Sequence, residues 1–315
     1  MLEFISILIP TQGRIDGLKD LLGSLARMDG RESIPHEIMV INNASDEDTA
    51  GKVRELVQSY TDCEGDRWKH LREPVAGKSR SLNRGIASAR GNIVAFLDDD
   101  VVAASSWLTT TNRFFTESSC DIEQGAIHIP PELAENNEFL TLLGRYRTIF
   151  YLTKSAADQS IKSLNAANLA VRRELFYRTG YFDERLGPGA SGTSMDSEFG
   201  ERAKKCGACV GYEPRSVVYH SVDWNRLTDD YFRRRNQAEG WSNYLYKHPK
   251  LPSIIYQLLR STVGFYLYSA LGSTRKKYRM KGRCFRYQIM LKAKIQGLGS
   301  QARAAFALGS RRQNS

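Results

Sequence analysis

Three short apolar runs, at residues 5–9, 37–41 and 92–97, are too short for helices and rich in Ile and Val, which predicts β-strands. Between them the apolar positions fall at helical spacing. Leu18, Leu21, Leu22 and Leu25 form one stripe, Val53, Leu56, Val57 and Tyr60 a second, and Leu82, Ile86 and Ala89 a third. The order strand, helix, strand, helix, helix, strand is that of βαβ units. It predicts an α/β, Rossmann-like fold with a mostly parallel central sheet and right-handed crossovers. Such sheets bind ligands outside the carboxyl ends of their strands. Each predicted strand here ends in polar residues: Pro10-Thr11, then Asn42-Asn43-Ala44-Ser45-Asp46, then Asp98-Asp99-Asp100.

Further on, a second polar cluster runs from Asn165 to His220. It contains a Gly/Pro-rich turn at 186–192 and an amphipathic helix predicted over 197–206. Residues 251–272 are apolar and aromatic, but Gln257 and Arg260 interrupt them, so they lack the unbroken span of a membrane crossing.

With 315 residues, 41% of them hydrophobic and 25% charged, the chain can bury a proper core. The net charge of +10 conceals an asymmetry that changes the picture. Residues 224–315 carry 19 Lys or Arg against 3 acids, whereas residues 1–223 carry 26 against 32. The expected organisation is therefore a mildly acidic catalytic domain over 1–223, with halves 1–102 and 103–223, followed by a basic helical region over 224–315. Five scattered cysteines do not form a disulfide framework and point to a reducing compartment. No basic segment followed by a long apolar run opens the sequence, so its start reads as a first strand rather than a signal peptide.

Three consecutive carboxylates directly after an apolar strand repel one another where burial begins. A divalent cation resolves the repulsion. Hard oxygen ligands suit Mg²⁺ or Mn²⁺, which take one or two carboxylates together with substrate phosphate oxygens. A solvated acidic turn is the plainer alternative.

Lys78-Ser-Arg-Ser-Leu-Asn-Arg-Gly85, Ala89-Arg-Gly91 and Phe96-Leu-Asp-Asp-Asp100, in that order, resemble the central signature of the family 2 glycosyltransferases of the GT-A fold. Ile7-Leu-Ile-Pro10 and Ile41-Asn-Asn-Ala-Ser-Asp46 are similar to that family's first two strand ends. Asn165-Ala-Ala-Asn168, Gly180-Tyr-Phe-Asp-Glu184, Asp196-Ser-Glu198, Arg202 and Val217-Val-Tyr-His220 resemble its acceptor-side motifs. The likeness covers about residues 4–220.

The resemblance implies a GT-A fold and transfer of a sugar from a nucleotide-diphosphate sugar, with inversion, to a hydroxyl of a glycan or lipid-linked glycan. It places Asp100 on the metal, and Asp98 on the ribose or on the metal through water. Pro10, Thr11, Arg14, Asn42, Asn43, Asp46 and Asp99 would surround the nucleotide, with Lys78 and Arg80 near its phosphates. A solvated helix start is the plain reading of those last two. Asn168, Glu198 and Arg202 fall on the acceptor side. The sequence departs from the family at Asn42, where an acid often reads the imide N–H of uracil; an amide can do so through its carbonyl, and UDP-sugar remains favoured by a narrow margin.

Inverting transfer needs a carboxylate to deprotonate the acceptor hydroxyl. The family draws it from a Glu-Asp pair at a helix start. Here the pair is Met195-Asp196, which makes Asp196 the base, with Glu198 in reserve. Asp is also a favoured helix cap, and both roles can coexist. His220 ends an apolar run where the family places a late histidine, and reads as a third metal ligand or as a structural residue. Cys206 and Cys209 have zinc-like spacing without a second pair, which favours packing.

The basic region interleaves Arg275, Lys276, Lys277, Arg279, Lys281, Arg283 and Arg286 with Tyr278, Phe285 and Tyr287. It reads as a segment on an anionic membrane surface, which suits a lipid-linked acceptor and a cytoplasmic protein peripheral to the inner face of the cell membrane. A soluble helical cap is the alternative, and no nucleic-acid-reading module is present. Two other functions share the fold. One is a non-catalytic membrane-associated scaffold that binds nucleotide. The other is a nucleotidyltransferase, for which Pro10-Thr-Gln-Gly-Arg14 is a poor match to a glycine-rich phosphate loop.

Overall fold

A computed structural model describes residues 2–152, 161, 163–221 and 223–297. Its elements in chain order are β1 (Ile5–Thr11), α1 (Ile15–Leu25), β2 (His36–Asn42), α2 (Glu47–Glu64), β3 (Trp68–Arg72), α3 (Lys78–Ser88), β4 (Ile93–Leu97), β5 (Val101–Ala103), α4 (Trp107–Glu117), β6 (Ile122–His128), α5 (Pro131–Ala134), α6 (Asn137–Tyr146), β7 (Asn168–Arg172), α7 (Leu175–Thr179), α8 (Met195–Lys205), β8 (Val210–His220), α9 (Asp229–Lys247), α10 (Leu251–Ala270) and α11 (Thr274–Ile295).

The three predicted strands become β1, β2 and β4, buried along their whole lengths. Apolar side chains alternate onto both faces of a covered sheet, so these strands read as continuous apolar runs. The sequence Trp-Lys-His-Leu-Arg of β3 does not, because it lies at the sheet edge and is only partly covered. The eight strands follow the order β3-β2-β1-β4-β7-β6-β8-β5. Pairs β1–β2, β2–β3, β1–β4 and β6–β8 are parallel, whereas β4–β7, β6–β7 and β5–β8 are antiparallel. The sheet is thus more mixed than expected. The βαβ rhythm governs only the first hundred residues, and β7 returns from a long connection to lie antiparallel beside β4.

From β1 the chain steps outward to β2 and β3, then crosses to β4 on the other side of β1. Strand order reverses between β1 and β4, and such switch points are where these sheets open a crevice for ligands. At the opposite end of the strands the fully buried Glu37 joins three segments. It accepts from Ser6 Oγ at 2.6 Å, Lys69 Nζ at 2.7 Å and the Arg90 backbone N–H at 2.8 Å. Burial alone would raise its pKa, but these partners hold it down at about 2.

The chain divides into two compact units. The sheet belongs to the first, made of Met1–Pro130, Leu152–Glu184 and Met195–Ser221. The second comprises Pro131–Tyr151, Arg185–Ser194 and the described residues of Val222–Ser315. Its core is aromatic: Tyr146 meets Phe232 at 5.6 Å and Tyr278 at 5.5 Å, and Phe232 also meets Phe285. Tyr278 and Phe285 thus pack inward from the basic helix α11. Of the basic helical region expected over 224–315, residues 298–315 lie outside the described residues.

Two of the five cysteines, Cys120 and Cys209, form a disulfide. Scattered spacing hid this pairing. Strands β6 and β8 run in parallel with Ile122 opposite Val210, which brings the residues just before each strand together. The Cys206-x-x-Cys209 spacing therefore joins no common site, and Cys206 stays exposed.

Candidate active site at the strand ends

Thr11, the last residue of β1, is buried and donates to Asp99 Oδ2 at 2.6 Å. Its hydroxyl also accepts the Gly13 N–H at 3.0 Å, which turns the chain into α1. Arg14, at the entrance to α1, reaches Asp99 Oδ1 at 3.0 Å and Asp100 Oδ2 at 2.5 Å. Burial would lower its pKa, but the three adjacent aspartates raise it. Helix α1 can approach the triplet because residue 17 is glycine: a Cβ there would lie 2.6 Å from the Asp99 carbonyl. Arg14 entered the sequence reading as a nucleotide contact, but its two ion pairs within the triplet, and the need for Gly17, follow only from where α1 lies.

Within the triplet, Asp99 is turned inward. Burial raises its carboxyl above the ordinary range despite Arg14 and Thr11. Asp98 instead forms an ion pair with Lys78, the first residue of α3. Burial would lower the lysine's pKa, but Asp98, then Asp196 and Asp100, raise it. Lys78 thus lies within electrostatic reach of carboxylates from two segments of the chain, the triplet after β4 and the start of α8. On the far side, His220 closes β8. Its Nε2 stands 3.4 Å from Asp100 Oδ1, and the following Ser221 N–H donates to the Asp100 carbonyl at 3.1 Å.

Asp196 sits in the first turn of α8 rather than before it, because the helix begins at Met195. It accepts the Ser197 N–H at 2.8 Å and the Ala166 N–H at 3.4 Å. The carboxylate is therefore oriented by backbone groups of two segments, whichever role it plays.

Residues 6–180 match the family described as Glycosyl transferase family 2. The chain belongs to glycosyl transferase family 2. It is 25% identical over 245 residues to glycosyltransferase AglE of Haloferax volcanii, covering 76% of this chain and 75% of that one. It is 22% identical over 225 residues to the pre-mycofactocin glycosyltransferase of Mycobacterium tuberculosis, and the match spans only 42% of that relative's length. Among solved structures it resembles the mannosyltransferase PcManGT of Pyrobaculum calidifontis in complex with GDP-Man and Mn²⁺, at a TM-score of 0.60 and 17% identity over 96% of this chain and 88% of that one. The GT-A fold is thereby shown, as is the activity class: the protein is a glycosyltransferase.

In this family 2 glycosyltransferase several residues expected to touch ligand are committed inside the protein. Asn42 is fully buried. Its amide donates to the Ala50 carbonyl at 2.9 Å, contacts His70 Nε2 at 3.0 Å and accepts the Ala44 N–H at 3.2 Å. Asn43 donates to the carbonyls of Glu73 and Val75 at 2.7 and 2.8 Å and accepts the Gly77 N–H at 2.9 Å. It thereby hangs the loop that presents Lys78. Asp46 caps α2 by accepting the Thr49 N–H at 2.8 Å, which holds its pKa below the usual range. Pro10 lies in register with Ile41 inside the sheet.

The acceptor-side glycosyltransferase motifs divide in the same way. Asn168 is held by partners within the protein. It is buried, accepts Trp107 Nε1–H at 2.9 Å and donates to the carbonyls of Ala126 and Ser216 at 2.9 and 2.8 Å. A Cβ on Gly125 would come within 2.2 Å of its amide, so the glycine makes room for it. Glu198 binds Arg202 at 2.8 Å, and Arg202 donates to the carbonyls of Thr179, Gly180 and Tyr181. That pair braces the turn before Phe182. Arg80 pairs with Glu184 at 2.7 Å, at the end of the same turn. Glu184 stood in the quoted motif without a role, and its signal was its place beside the Gly180 turn.

Proposed function

We propose that this glycosyltransferase moves a sugar, with inversion, from a nucleoside diphosphate sugar to a hydroxyl of a glycan or lipid-linked glycan. The observation that carries the proposal is the neighbourhood of Lys78, which pairs with Asp98 and feels Asp196 and Asp100. A cation so placed faces the donor diphosphate on one side and the candidate base on the other.

Donor carboxylates fit a divalent cation. Asp98 pairs with Lys78, Asp99 and Asp100 pair with Arg14, and Asp100 lies beside the His220 imidazole, so hard oxygen donors gather at one strand end. Among the described residues no group of three His, Cys, Asp or Glu converges on one point. Mg²⁺ and Mn²⁺ need few protein ligands when phosphate oxygens complete the shell. Asp100 and His220 would hold the ion, with Asp98 reaching it through water, and the ion would supply Lewis-acid stabilisation of the departing diphosphate. Lys78 and Arg14 add positive charge around the same phosphates. Asp196 takes the proton of the acceptor hydroxyl, its backbone partners at Ala166 and Ser197 holding it in place.

Solved relatives include complexes with GDP-Man and, for TarS of S. aureus (TM-score 0.54, 14% identity), with UDP-GlcNAc. This fold therefore serves more than one base, and UDP-sugars head the donor set to be screened. In the second unit, the excess of basic residues supports attachment to an anionic membrane surface, at the inner face of the cell membrane, where a lipid-linked acceptor is available. Among the described residues no helix is long and apolar enough to cross a membrane.

The deciding experiment incubates the protein with UDP-, GDP- and dTDP-sugars and Mn²⁺ or Mg²⁺, then follows nucleotide release and the anomeric configuration of the product by NMR. Transfer with inversion supports the reading. Retention of configuration, or no nucleotide release from any donor, overturns it.

A further inference from the structure

Helix α10 turns an apolar face outward, against the usual order of an amphipathic helix. Only Ile254 and Ser261 are buried along its 20 residues. Ile255, Tyr256, Leu259, Val263, Tyr266 and Leu267 recur at helical spacing on the opposite side and are all exposed, Leu259 at 62%, Val263 at 67% and Tyr266 at 67%. Leu271 continues the stripe at 66% just past the helix. Exposed apolar residues scattered singly need no explanation, but a contiguous row over about four turns marks an interaction surface.

Charge around the stripe selects its occupant. No Asp or Glu occurs from Gly240 to Ser315. Helix α11 packs back along α10 and carries its bases beside it: Lys276 lies over the Tyr268 ring at 5.3 Å, Lys277 over Phe265 at 5.8 Å, and Arg283 donates to Gln257 at 3.1 Å. Arg275, Lys276 and Arg279 are exposed at the start of α11, next to the exposed end of α10. Arg260 stands on the rim of the apolar stripe itself. A second copy of this chain seated on the same face would bring like charges together, with no acid on α10 or α11 to offset them. An anionic lipid surface offers both a hydrocarbon boundary for the stripe and negative headgroups for its margins.

We propose that α10 is the membrane-inserting element of this glycosyltransferase, lying in the plane of an anionic bilayer with Leu259, Val263 and Leu267 in the acyl boundary and the exposed Arg275, Lys276 and Arg279 of α11 on the headgroups. This rests on the reading that the protein works at a membrane surface, and it specifies insertion rather than adsorption. Basic residues alone give binding that salt removes; an inserted apolar face gives binding that survives it.

The test is cosedimentation of the full chain with vesicles of phosphatidylglycerol and phosphatidylcholine, in low salt and in 0.5 M NaCl as about the concentration at which surface charges are screened. The expected result is binding that weakens but persists in high salt. Leu259→Glu/Val263→Glu should weaken it by at least about tenfold, since two apolar side chains that insert into the bilayer are replaced by acids facing anionic headgroups. Circular dichroism and nucleotide-sugar hydrolysis should be unchanged in the variant, because both positions are exposed. Salt-labile binding that the double variant leaves unaltered would show adsorption only and overturn insertion. Absence of wild-type binding in low salt would overturn the membrane reading as well. A concentration-dependent dimer that the same variant dissociates, with no vesicle binding, would assign the stripe to a second copy and also overturn the proposal.

Discussion

His220 Nε2 and the Asp100 carboxylate lie 3.4 Å apart although they are distant in sequence. Strands β5 and β8 pair antiparallel with Val101 opposite His220, so the residue before β5 and the last residue of β8 must meet. Removal of divalent cations with EDTA is expected to abolish transfer, and Mn²⁺ or Mg²⁺ to restore it. Asp100→Ala should lose at least about 10²-fold in kcat/KM, the cost of losing charge stabilisation at a leaving group. His220→Ala should raise the metal concentration for half-maximal activity by about tenfold or more, with little loss at saturation. Metal-dependent nucleotide binding by calorimetry gives the same comparison without turnover. Full activity in EDTA would sink the assignment.

Asp196→Asn preserves shape and removes the base. A fall in kcat of about 10²–10⁴-fold is expected with the nucleotide Kd unchanged. Should Asp196 act only as a helix-start group, Asn would replace it well and kcat would barely move.

Asn168→Ala separates a structural role from an acceptor contact. Truncation leaves Trp107 Nε1–H and the carbonyls of Ala126 and Ser216 without their partner in the core. Denaturant unfolding is expected to show a loss of about 2 kcal/mol or more. The acceptor KM of the remaining folded enzyme should stay near that of the parent. A large KM increase with stability intact would instead place the amide on the acceptor.

Glu123 makes stability depend on pH in an unusual direction. Burial lifts its carboxyl from 4.5 to about 8, the nearby Glu213 adding to the rise. The folded chain therefore keeps the proton at neutral pH while the unfolded chain releases it. Stability from this group is complete below about 4.5 and declines as pH rises toward about 8. Glu37 works the other way: its depressed pKa contributes stability above 4.5 that is lost as pH falls toward about 2. Glu123→Gln should flatten the decline, its advantage over the parent growing across the neutral range in urea titrations. A parent and variant with parallel stability profiles would refute this account.

Much of the catalytic unit was legible because local rules agree with the global fold. Fully buried strands appear as apolar runs with polar residues at their ends, and Thr11 and the aspartate triplet were located that way, whereas Lys78 was located by the family signature. Strand β3 escaped because an edge strand needs no apolar run. Asn42, Asn43 and Asn168 occupy motif positions, yet a buried amide bridging backbone groups and an exposed amide reading a ligand have the same letter in sequence.

Sequence alone determined β1, β2 and β4, their polar ends and the charge contrast between residues 1–223 and 224–315, since periodicity, turn residues and charge act over a few neighbouring positions; that residues 131–151 and 185–194 join the second unit was decided by the tertiary structure. Only tertiary structure decided that Arg14 clamps Asp99 and Asp100, that Cys120 joins Cys209, that His220 reaches Asp100 and that α10 turns its apolar side outward. Each depends on which elements become neighbours and in what register, and that is settled by packing across the whole chain.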